Sequence, residues 1–276
     1  MASELVSKSQ RVWSRSKKRC SYCFAFMFAK LCILAFPNFE KITAMNVVIS
    51  GASKGIGRAI AEHFAAEGAN LFLCSRNMDK TIDWQKQLMK QYGINITTFN
   101  ADLSNPAEVK SFAAQLLKAT DEIDVLVNNA GNYVPGSVYN EPEGQLEQMM
   151  NLNLYSAYHL TRALIATMIK KGSGHVFNIC SIAALKAYAN GGSYSISKWA
   201  LAGFSENLRE EMKAFNIKVT AVHPGATLSS SWDGFDIDPK RIMEVDDIAK
   251  MIITASKLSA QACVEEIVIR PQLGDL

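Results

Sequence analysis

Short apolar runs rich in β-branched residues alternate along most of the chain with longer stretches whose apolar residues recur at helical spacing. The short runs predict strands at 47–49, 70–74, 94–100, 123–127, 175–180, 217–222 and 264–269. The longer stretches predict helices at 59–68, 79–92, 143–171, 193–215 and 246–258, and one more that begins at Ser104-Asn105-Pro106. Each predicted strand is therefore separated from the next by a segment long enough for a helix.

This alternation predicts an α/β fold. Parallel strands need crossover connections, and the crossover helices cover both faces of such a sheet. The chain has 276 residues, enough for one large domain with a buried core, and no repeat or linker interrupts it after residue 45. We therefore expect residues 45–276 to form a single domain, a doubly wound parallel sheet of about seven strands.

The first 44 residues differ in character from the rest of the chain. They carry a net charge of +6, so the total of +3 leaves −3 for residues 45–276. A mildly acidic domain lacks the electrostatic footprint of a nucleic-acid-binding protein. Residues 20–36 are apolar, but the run is short for a membrane span and Lys30 interrupts it. We expect residues 1–44 to be an extension outside the fold, with a weak membrane anchor at 20–36 as the alternative.

The cysteines and histidines indicate no metal site. Cys20 and Cys23 lack a second pair or a histidine partner, and the four histidines are scattered without ligand spacing. Cys74, Cys180 and Cys263 are assigned to strands, as small buried hydrophobic residues. This usage is typical of a reducing compartment, so we expect a cytoplasmic protein.

A glycine-rich turn, Gly51-Ala52-Ser53-Lys54-Gly55-Ile56-Gly57, follows the first predicted strand and precedes the first predicted helix. Strand, turn and helix in this order present bare backbone N–H groups to a pyrophosphate. We expect Gly51 to allow the sharp exit from the strand, Gly55 to let phosphates approach, and Gly57 to let the helix pack closely on its strand. The spacing departs from the commoner dinucleotide fingerprint, so the turn alone is weak evidence.

The ends of the second and third predicted strands bear on the choice of cofactor. In such folds an acidic residue after the second strand holds a ribose 2′-hydroxyl, whereas a basic residue accommodates a 2′-phosphate. Here that strand ends in Cys74-Ser75-Arg76 without an acid, and Lys54 adds a second positive charge. This arrangement favours NADP(H) over NAD(H). Asp102, after the third strand, is either an adenine contact or a helix cap.

Ser181, Tyr194 and Lys198 are the candidate catalytic groups. Tyr194 and Lys198 are four residues apart in a predicted helix and so share one face. A neighbouring ammonium lowers the pKa of a phenol, which suits Tyr194 to give a proton to a carbonyl that is being reduced. Ser181 follows the fifth predicted strand, at the edge where open α/β sheets bind ligands, so its hydroxyl is placed to hold the substrate oxygen. Taken singly, each residue also has an ordinary structural explanation.

Together these segments resemble the short-chain dehydrogenase/reductase family. The matching residues, in chain order, are 50–57, Asn128-Asn129-Ala130-Gly131, Asn153, Ser181, Tyr194 with Lys198, and Pro224-Gly225. The resemblance covers essentially all of residues 45–276. It implies a Rossmann-type sheet of seven strands, usually in a homodimer or homotetramer.

The resemblance also implies a catalytic tetrad of Asn153, Ser181, Tyr194 and Lys198. In the family the tyrosine is the acid/base, and the lysine lowers its pKa and binds the nicotinamide ribose. The serine orients the carbonyl or alcohol, and the asparagine holds a water that extends the proton relay. Residues 128–131 are expected to line the cofactor cleft. The implied cofactor-binding residues are Gly51, Ser53, Lys54, Gly55, Ile56, Gly57, Arg76, Asp102, Leu103, Asn129, Ala130, Gly131, Tyr194, Lys198, Pro224, Gly225 and Thr227.

The sequence departs from the family pattern in two places. Ser50 replaces the usual threonine of the glycine motif but keeps the hydroxyl. The family's threonine four residues after Pro224 is Leu228 here, and Thr227 beside it is the candidate contact for the nicotinamide carboxamide. Aromatic residues within 226–244 weakly indicate an apolar or acyl-like substrate.

We therefore expect an NADP(H)-dependent oxidoreductase that transfers hydride between nicotinamide and a carbonyl or secondary alcohol. Its partner is expected to be a small molecule, with neither nucleic acid nor membrane involved. The 3-oxoacyl-(acyl-carrier-protein) reductases are the members most similar in appearance, with a reductase of small ketones, sugars or pterins as the alternative. A non-catalytic NADP(H)-sensing protein and a membrane-tethered reductase are the remaining hypotheses.

Overall fold

The computed structural model describes residues 44–229, 236 and 238–275. The extension at 1–43, with its apolar run at 20–36, lies outside the described residues. None of the helices in the described ranges combines the length and hydropathy that crossing a bilayer requires.

Seven parallel strands form one sheet in the order β3-β2-β1-β4-β5-β6-β7. The strands are β1 (Asn46–Ser50), β2 (Asn70–Ser75), β3 (Ile96–Asn100), β4 (Val125–Asn128), β5 (Gly174–Ile179), β6 (Ile217–Pro224) and β7 (Glu266–Ile269). The order reverses between β1 and β4, whose carboxyl ends border the crevice in which such sheets bind ligands. The predicted α/β fold with a Rossmann-type sheet is confirmed.

Helices cover both faces of the sheet. They are α1 (Gly55–Ala66), α2 (Ile82–Tyr92), α3 (Pro106–Ala119), α4 (Gln145–Met150), α5 (Ser156–Lys171), α6 (Gly192–Met212) and α7 (Val245–Ser256). Helices α1, α2 and α7 share one buried apolar cluster with the sheet, and α3, α5 and α6 share another. Successive strand residues alternate between the two layers: Val47 and Ile49 contribute to the first cluster and Val48 to the second.

Two helix predictions need correction. Helix α1 begins at Gly55 rather than at residue 59, so part of the glycine turn forms its first turn. The helix predicted at 143–171 is α4 and α5, joined by the π-helical residues Asn151–Tyr155. A π-helical segment inserts an extra residue per turn and so changes the direction in which side chains project, a change that hydrophobic periodicity does not reveal. This segment contains Asn153.

The predicted burial holds for two of the three cysteines, but only Cys74 lies in a strand, because β5 ends at Ile179. Cys74 and Cys180 are buried, and burial raises the pKa of the Cys74 thiol to about 12 and that of Cys180 to about 11. Cys263 is exposed, because β7 begins only at Glu266.

Buried His175 makes stability depend on pH. Its Nε2 lies 2.7 Å from Thr220 Oγ1, while its Nδ1 has no partner among the described residues. Burial, reinforced by Lys218, lowers the pKa of His175 to about 3. The unfolded chain binds a proton near the ordinary value of about 6.5, so the histidine costs stability only below that pH.

We expect the free energy of unfolding to fall by about 1.4 kcal/mol per pH unit below pH ~6.5, hence by about 2 kcal/mol at pH 5 from this residue. Urea titrations at a series of pH values measure the slope. His175→Gln should flatten it, and His159→Gln, at a partly exposed position, is the control. An unchanged slope in His175→Gln would show that other groups cause the acid sensitivity.

Candidate active site

The glycine turn after β1 is held by the end of β4. Asn129 donates its side-chain amide to the carbonyl oxygens of Ser50 and Gly51, each at 3.0 Å. The Ser50 hydroxyl accepts from the backbone N–H groups of Asn129 and Ala130 at 2.9 and 3.0 Å. A Cβ at Gly57 would lie 2.4 Å from both the Asn129 amide nitrogen and the Gly51 carbonyl oxygen. The hydroxyl that Ser50 keeps is therefore used, and Asn129 shapes the turn.

The first turn of α1 suits a phosphate. Its N-cap residue, Lys54, is exposed and provides no capping side chain, and no acidic residue lies in the turn. Gly55 has φ +59°, and a Cβ there would come no closer than 3.6 Å to Ser229 Cβ, so its backbone is open. Ser53 and Ile56 flank it, and both are partly exposed. A helix N-terminus with free N–H groups and a lysine fits a pyrophosphate.

Gly57→Ala tests this turn. The added methyl group cannot fit within 2.4 Å of backbone and side-chain atoms, so the turn must shift. We expect at least about tenfold weaker NADPH binding, since phosphate binding here depends on aligned N–H groups. Gly203→Ala is the matched control, because a Cβ at this helical position meets nothing within 4 Å. Equal NADPH affinity of the two variants, measured by calorimetry, would contradict the assignment.

The predicted 2′-phosphate site lies at the ends of β2 and β3. Arg76 is exposed and makes no hydrogen bond or ion pair with the described residues. Asp102 accepts from the backbone N–H and the hydroxyl of Ser104 at 3.0 and 2.7 Å. These bonds hold the pKa of Asp102 below its usual value, with a smaller effect from Arg76. Leu103 is buried. Asp102 therefore caps the turn at 102–104 and is not the cap of α3, whose N-cap is Asn105.

The expectation that Asn128 lines the cofactor cleft is wrong. Asn128 is buried and donates to Thr161 Oγ1 at 2.9 Å and to Asn178 Oδ1 at 2.8 Å. Its side chain therefore points into the layer between the sheet and α5. Side chains alternate along a strand, so adjacent asparagines at the end of β4 have different environments.

Tyr194, Ser181 and Lys198 meet at the carboxyl end of β5. The Ser181 side chain lies next to the Tyr194 phenol and lowers its pKa as a hydrogen-bonding neighbour. Ser181 also caps the short 3-10 turn after β5, where its hydroxyl accepts from Ala183 N–H at 3.1 Å. Lys198 Nζ lies 5.9 Å from the centre of the Tyr194 ring and donates to the Ile179 carbonyl oxygen at 2.8 Å.

Asn153 lies on the other side of Gly131 in the same cluster. A Cβ on Gly131 would come within 3.1 Å of Asn153 Oδ1 and 3.4 Å of Lys198 Nζ. Asn153 is fully buried, and it accepts from Asn132 N–H at 2.8 Å and donates to the Asn132 carbonyl oxygen at 3.1 Å. It also donates to Ser197 Oγ at 2.9 Å. The four residues of the predicted tetrad are thus neighbours.

The pKa of Tyr194 shifts opposite to the direction expected from sequence. Burial raises the pKa of Tyr194 to about 12, although its hydrogen bond to Ser181 acts in the other direction. Burial also lowers the pKa of Lys198 to about 8. The helical spacing predicted the proximity of the two groups correctly but contained no information on their burial, which has the larger effect here.

The loop after β6 is tightly packed. Gly225 donates its N–H to the Ile269 carbonyl oxygen at 2.8 Å, and a Cβ on Gly225 would lie 3.0 Å from Pro271 Cδ. Thr227 is buried, and its hydroxyl donates to the Gly225 carbonyl oxygen at 2.9 Å. The hydroxyl expected to contact the carboxamide therefore has a partner within the protein. Trp232 and Phe235, which suggested an apolar substrate, lie outside the described residues.

Tyr133 and His223 contact the tetrad, and Tyr188 neighbours Tyr133. The Tyr133 ring meets the Tyr194 ring edge to face, with centroids 4.8 Å apart and planes at 81°. The pKa of Tyr188 is raised by burial and by the neighbouring Tyr133. His223 is buried with Nδ1 3.0 Å from the Ser181 carbonyl oxygen. These residues belong to different loops and strands, so no sequence spacing connects them with Tyr194.

Comparison with known proteins agrees with this geometry. The family described as short chain dehydrogenase matches residues 45–237. The chain belongs to this family. It is accordingly an oxidoreductase that acts on CH–OH or C=O groups.

Similar proteins cover most of the chain. The sepiapterin reductase of Chlorobaculum tepidum is 35% identical over 240 residues, which are 83% of this chain and 97% of that protein. A metagenomic short-chain oxidoreductase in complex with NADP has a TM-score of 0.72 at 30% identity, over 83% of this chain and 97% of its own. The L-sorbose reductase of Gluconobacter frateurii, complexed with NADPH and L-sorbose, has a TM-score of 0.77 at 25% identity, over 83% and 95%.

Proposed function

We propose that the protein reduces a small carbonyl compound with NADPH and that Tyr194 gives the proton. The observation that carries this proposal is the cluster of Tyr194, Ser181 and Lys198 at the carboxyl edge of the sheet. Open α/β sheets bind their ligands at this edge. A donor phenol next to a hydroxyl that orients an oxygen is the arrangement that carbonyl reduction requires.

NADP(H) is the cofactor that the described residues fit. The first turn of α1 with Lys54 suits the pyrophosphate, and exposed Arg76 suits a 2′-phosphate. The solved relatives complexed with NADP or NADPH support this choice. Bound NADPH would supply the hydride, and the protein supplies position and a matched proton.

The pKa values support the proposed roles of Tyr194 and Lys198. With a pKa of about 12, Tyr194 carries its proton at neutral pH and is therefore ready to act as an acid. Lys198, with a pKa of about 8, is mostly charged at neutral pH. Its ammonium then stabilises the phenolate that remains when Tyr194 has given up its proton. We assign Asn153 to holding the Asn132 backbone against α6.

We propose a flat, ring-containing carbonyl compound such as a pterin as the substrate class. The Tyr133 ring packs against Tyr194, Tyr188 neighbours Tyr133, and aromatic rings pack well on a planar ligand. The 35% identity to a sepiapterin reductase supports the same class. A 3-oxoacyl thioester is the second candidate, favoured by the apolar side chains of Val138 and Tyr139, which are 70% and 86% exposed in the same loop as Tyr133.

A panel of carbonyl compounds tests the proposal. NADPH oxidation is followed with sepiapterin, acetoacetyl-coenzyme A, L-sorbose and a simple ketone. We expect kcat/KM for sepiapterin to be at least about tenfold above that of the other compounds, because a few additional contacts with the enzyme account for such a difference. Turnover of the thioester alone would favour the second candidate. NADPH binding without turnover of any compound would contradict the proposed function.

A further inference from the structure

The N-terminus of the helix that carries Tyr194 is held by a residue from a distant loop. Helix α6 begins at Gly192, and its N-cap, Gly191, has no side chain to accept from the first-turn N–H groups. The first turn also contains no acidic residue. Glu141, in the loop between β4 and α4, provides the missing acceptor. Its Oε2 accepts from Ser193 N–H at 3.1 Å, and its Oε1 accepts from the Ser193 hydroxyl.

Backbone contacts bring the two segments together around this carboxylate. Gly136 donates its N–H to the Asn190 carbonyl oxygen at 3.1 Å, and Ser137 donates its hydroxyl to Asn190 Oδ1 at 2.8 Å. Gly192 has φ +43°, and a Cβ there would lie 2.4 Å from the Gly136 carbonyl oxygen and 2.8 Å from Glu141 Oε2. The approach is therefore possible only because residue 192 is glycine.

We propose that Glu141 is a positioning residue for Tyr194. This inference rests on the proposed function, in which Tyr194 is the proton donor. Ser193, the residue that Glu141 binds, is the direct neighbour of Tyr194. A carboxylate at a helix N-terminus satisfies an unpaired N–H group and complements the helix dipole, so it fixes the start of α6.

The same loop supports Tyr194 from two directions. Tyr133 contacts its ring edge to face, and Glu141 holds the backbone one residue before it. The loop between β4 and α4 thus contacts both the ring of Tyr194 and the helix turn that carries it. A misplacement of a reacting group by about 1 Å can lower a rate about 100-fold, so loss of this support should slow the chemical step.

Glu141→Ala tests the proposal. We expect kcat for carbonyl reduction to fall at least about tenfold, while KM for NADPH stays within about twofold, because the glycine turn and Arg76 are untouched. Glu141→Gln keeps an acceptor oxygen and should restore at least about a third of the lost rate. Glu143→Ala is the control: this exposed glutamate lies two residues away and makes no hydrogen bond or ion pair with the described residues.

Ser193 provides a second and independent test. Ser193→Ala removes the hydroxyl contact but keeps the N–H contact, so its loss of kcat should be smaller than that of Glu141→Ala. The double variant should be no slower than Glu141→Ala alone, because both changes act through one interaction. Hydrogen exchange of the amides at 192–195 adds a readout that needs no substrate, and it should be faster in Glu141→Ala than in the wild type.

The outcomes separate this inference from the proposed function. A wild type that turns over no carbonyl compound contradicts the proposed function, and the exchange measurement then still decides whether Glu141 holds the helix. Wild-type kcat and unchanged exchange in Glu141→Ala would overturn the positioning role. The positioning role would also be overturned if Glu141→Ala lost kcat and NADPH affinity together and melted at a lower temperature, with no recovery in Glu141→Gln. That pattern indicates a general folding defect.

Discussion

Tyr194→Phe is expected to lower kcat for carbonyl reduction by at least about 100-fold, the usual contribution of a positioned general acid. The phenylalanine ring keeps the edge-to-face contact with Tyr133 and loses only the hydroxyl that neighbours Ser181. NADPH affinity should stay within about threefold, because the glycine turn and Arg76 are unchanged. Steady-state kinetics and calorimetric titration with NADPH measure the two quantities.

Tyr92→Phe is the control for this substitution. Tyr92 is partly exposed at the end of α2, so loss of its hydroxyl should change neither kcat nor NADPH affinity. If Tyr194→Phe retains the wild-type kcat, Tyr194 is not the acid. If it loses NADPH affinity and kcat in the same proportion, its role is in cofactor binding.

Arg76→Asp is expected to reverse the cofactor preference. The exposed guanidinium at the end of β2 is the described cation best placed for a 2′-phosphate, and an aspartate there repels the phosphate and accepts from a ribose hydroxyl. A charge-assisted hydrogen bond contributes about 1.5–3 kcal/mol, so kcat/KM with NADPH should fall about 10- to 100-fold. The kcat/KM with NADH should rise, and the ratio of the two kcat/KM values measures the cofactor preference.

Lys80→Asp makes the same change of charge a few residues away and serves as the control. Lys80 is exposed in the short turn before α2, so it reports the general effect of adding negative charge near β2. We expect the NADPH preference to persist in this variant. If Arg76→Asp and Lys80→Asp shift the cofactor preference equally, net charge, not contact with Arg76, selects the cofactor.

The fold was predictable from sequence because its elements are set by local periodicity. Apolar runs with helix-length gaps lead to parallel strands with helices on both faces, and the two largest buried clusters of the described residues follow that pattern. Element ends were less predictable. The predicted start of α1 was too late because the glycines before residue 59 do not favour a helix. The apolar pattern also does not distinguish a π-helical segment from a regular helix.

The proximity of the catalytic residues was also predictable, but their electrostatics and support were not. The spacing of Tyr194 and Lys198 in α6 brings both into one cluster. The pKa of a buried phenol depends on the atoms around it, and those come from several segments of the chain. The bond from Ser193 to Glu141 spans 52 residues, and no local pattern predicts such a contact.

The transfer of deuterium from NADPH that carries two deuterium atoms at C4 of its nicotinamide ring tests the central claim most directly. Wild-type protein is incubated with the labelled cofactor and sepiapterin, and the product is examined by mass spectrometry and NMR. The account predicts one deuterium on the former carbonyl carbon and loss of this product in Tyr194→Phe. Unlabelled product, or equal formation of labelled product by Tyr194→Phe, would contradict it.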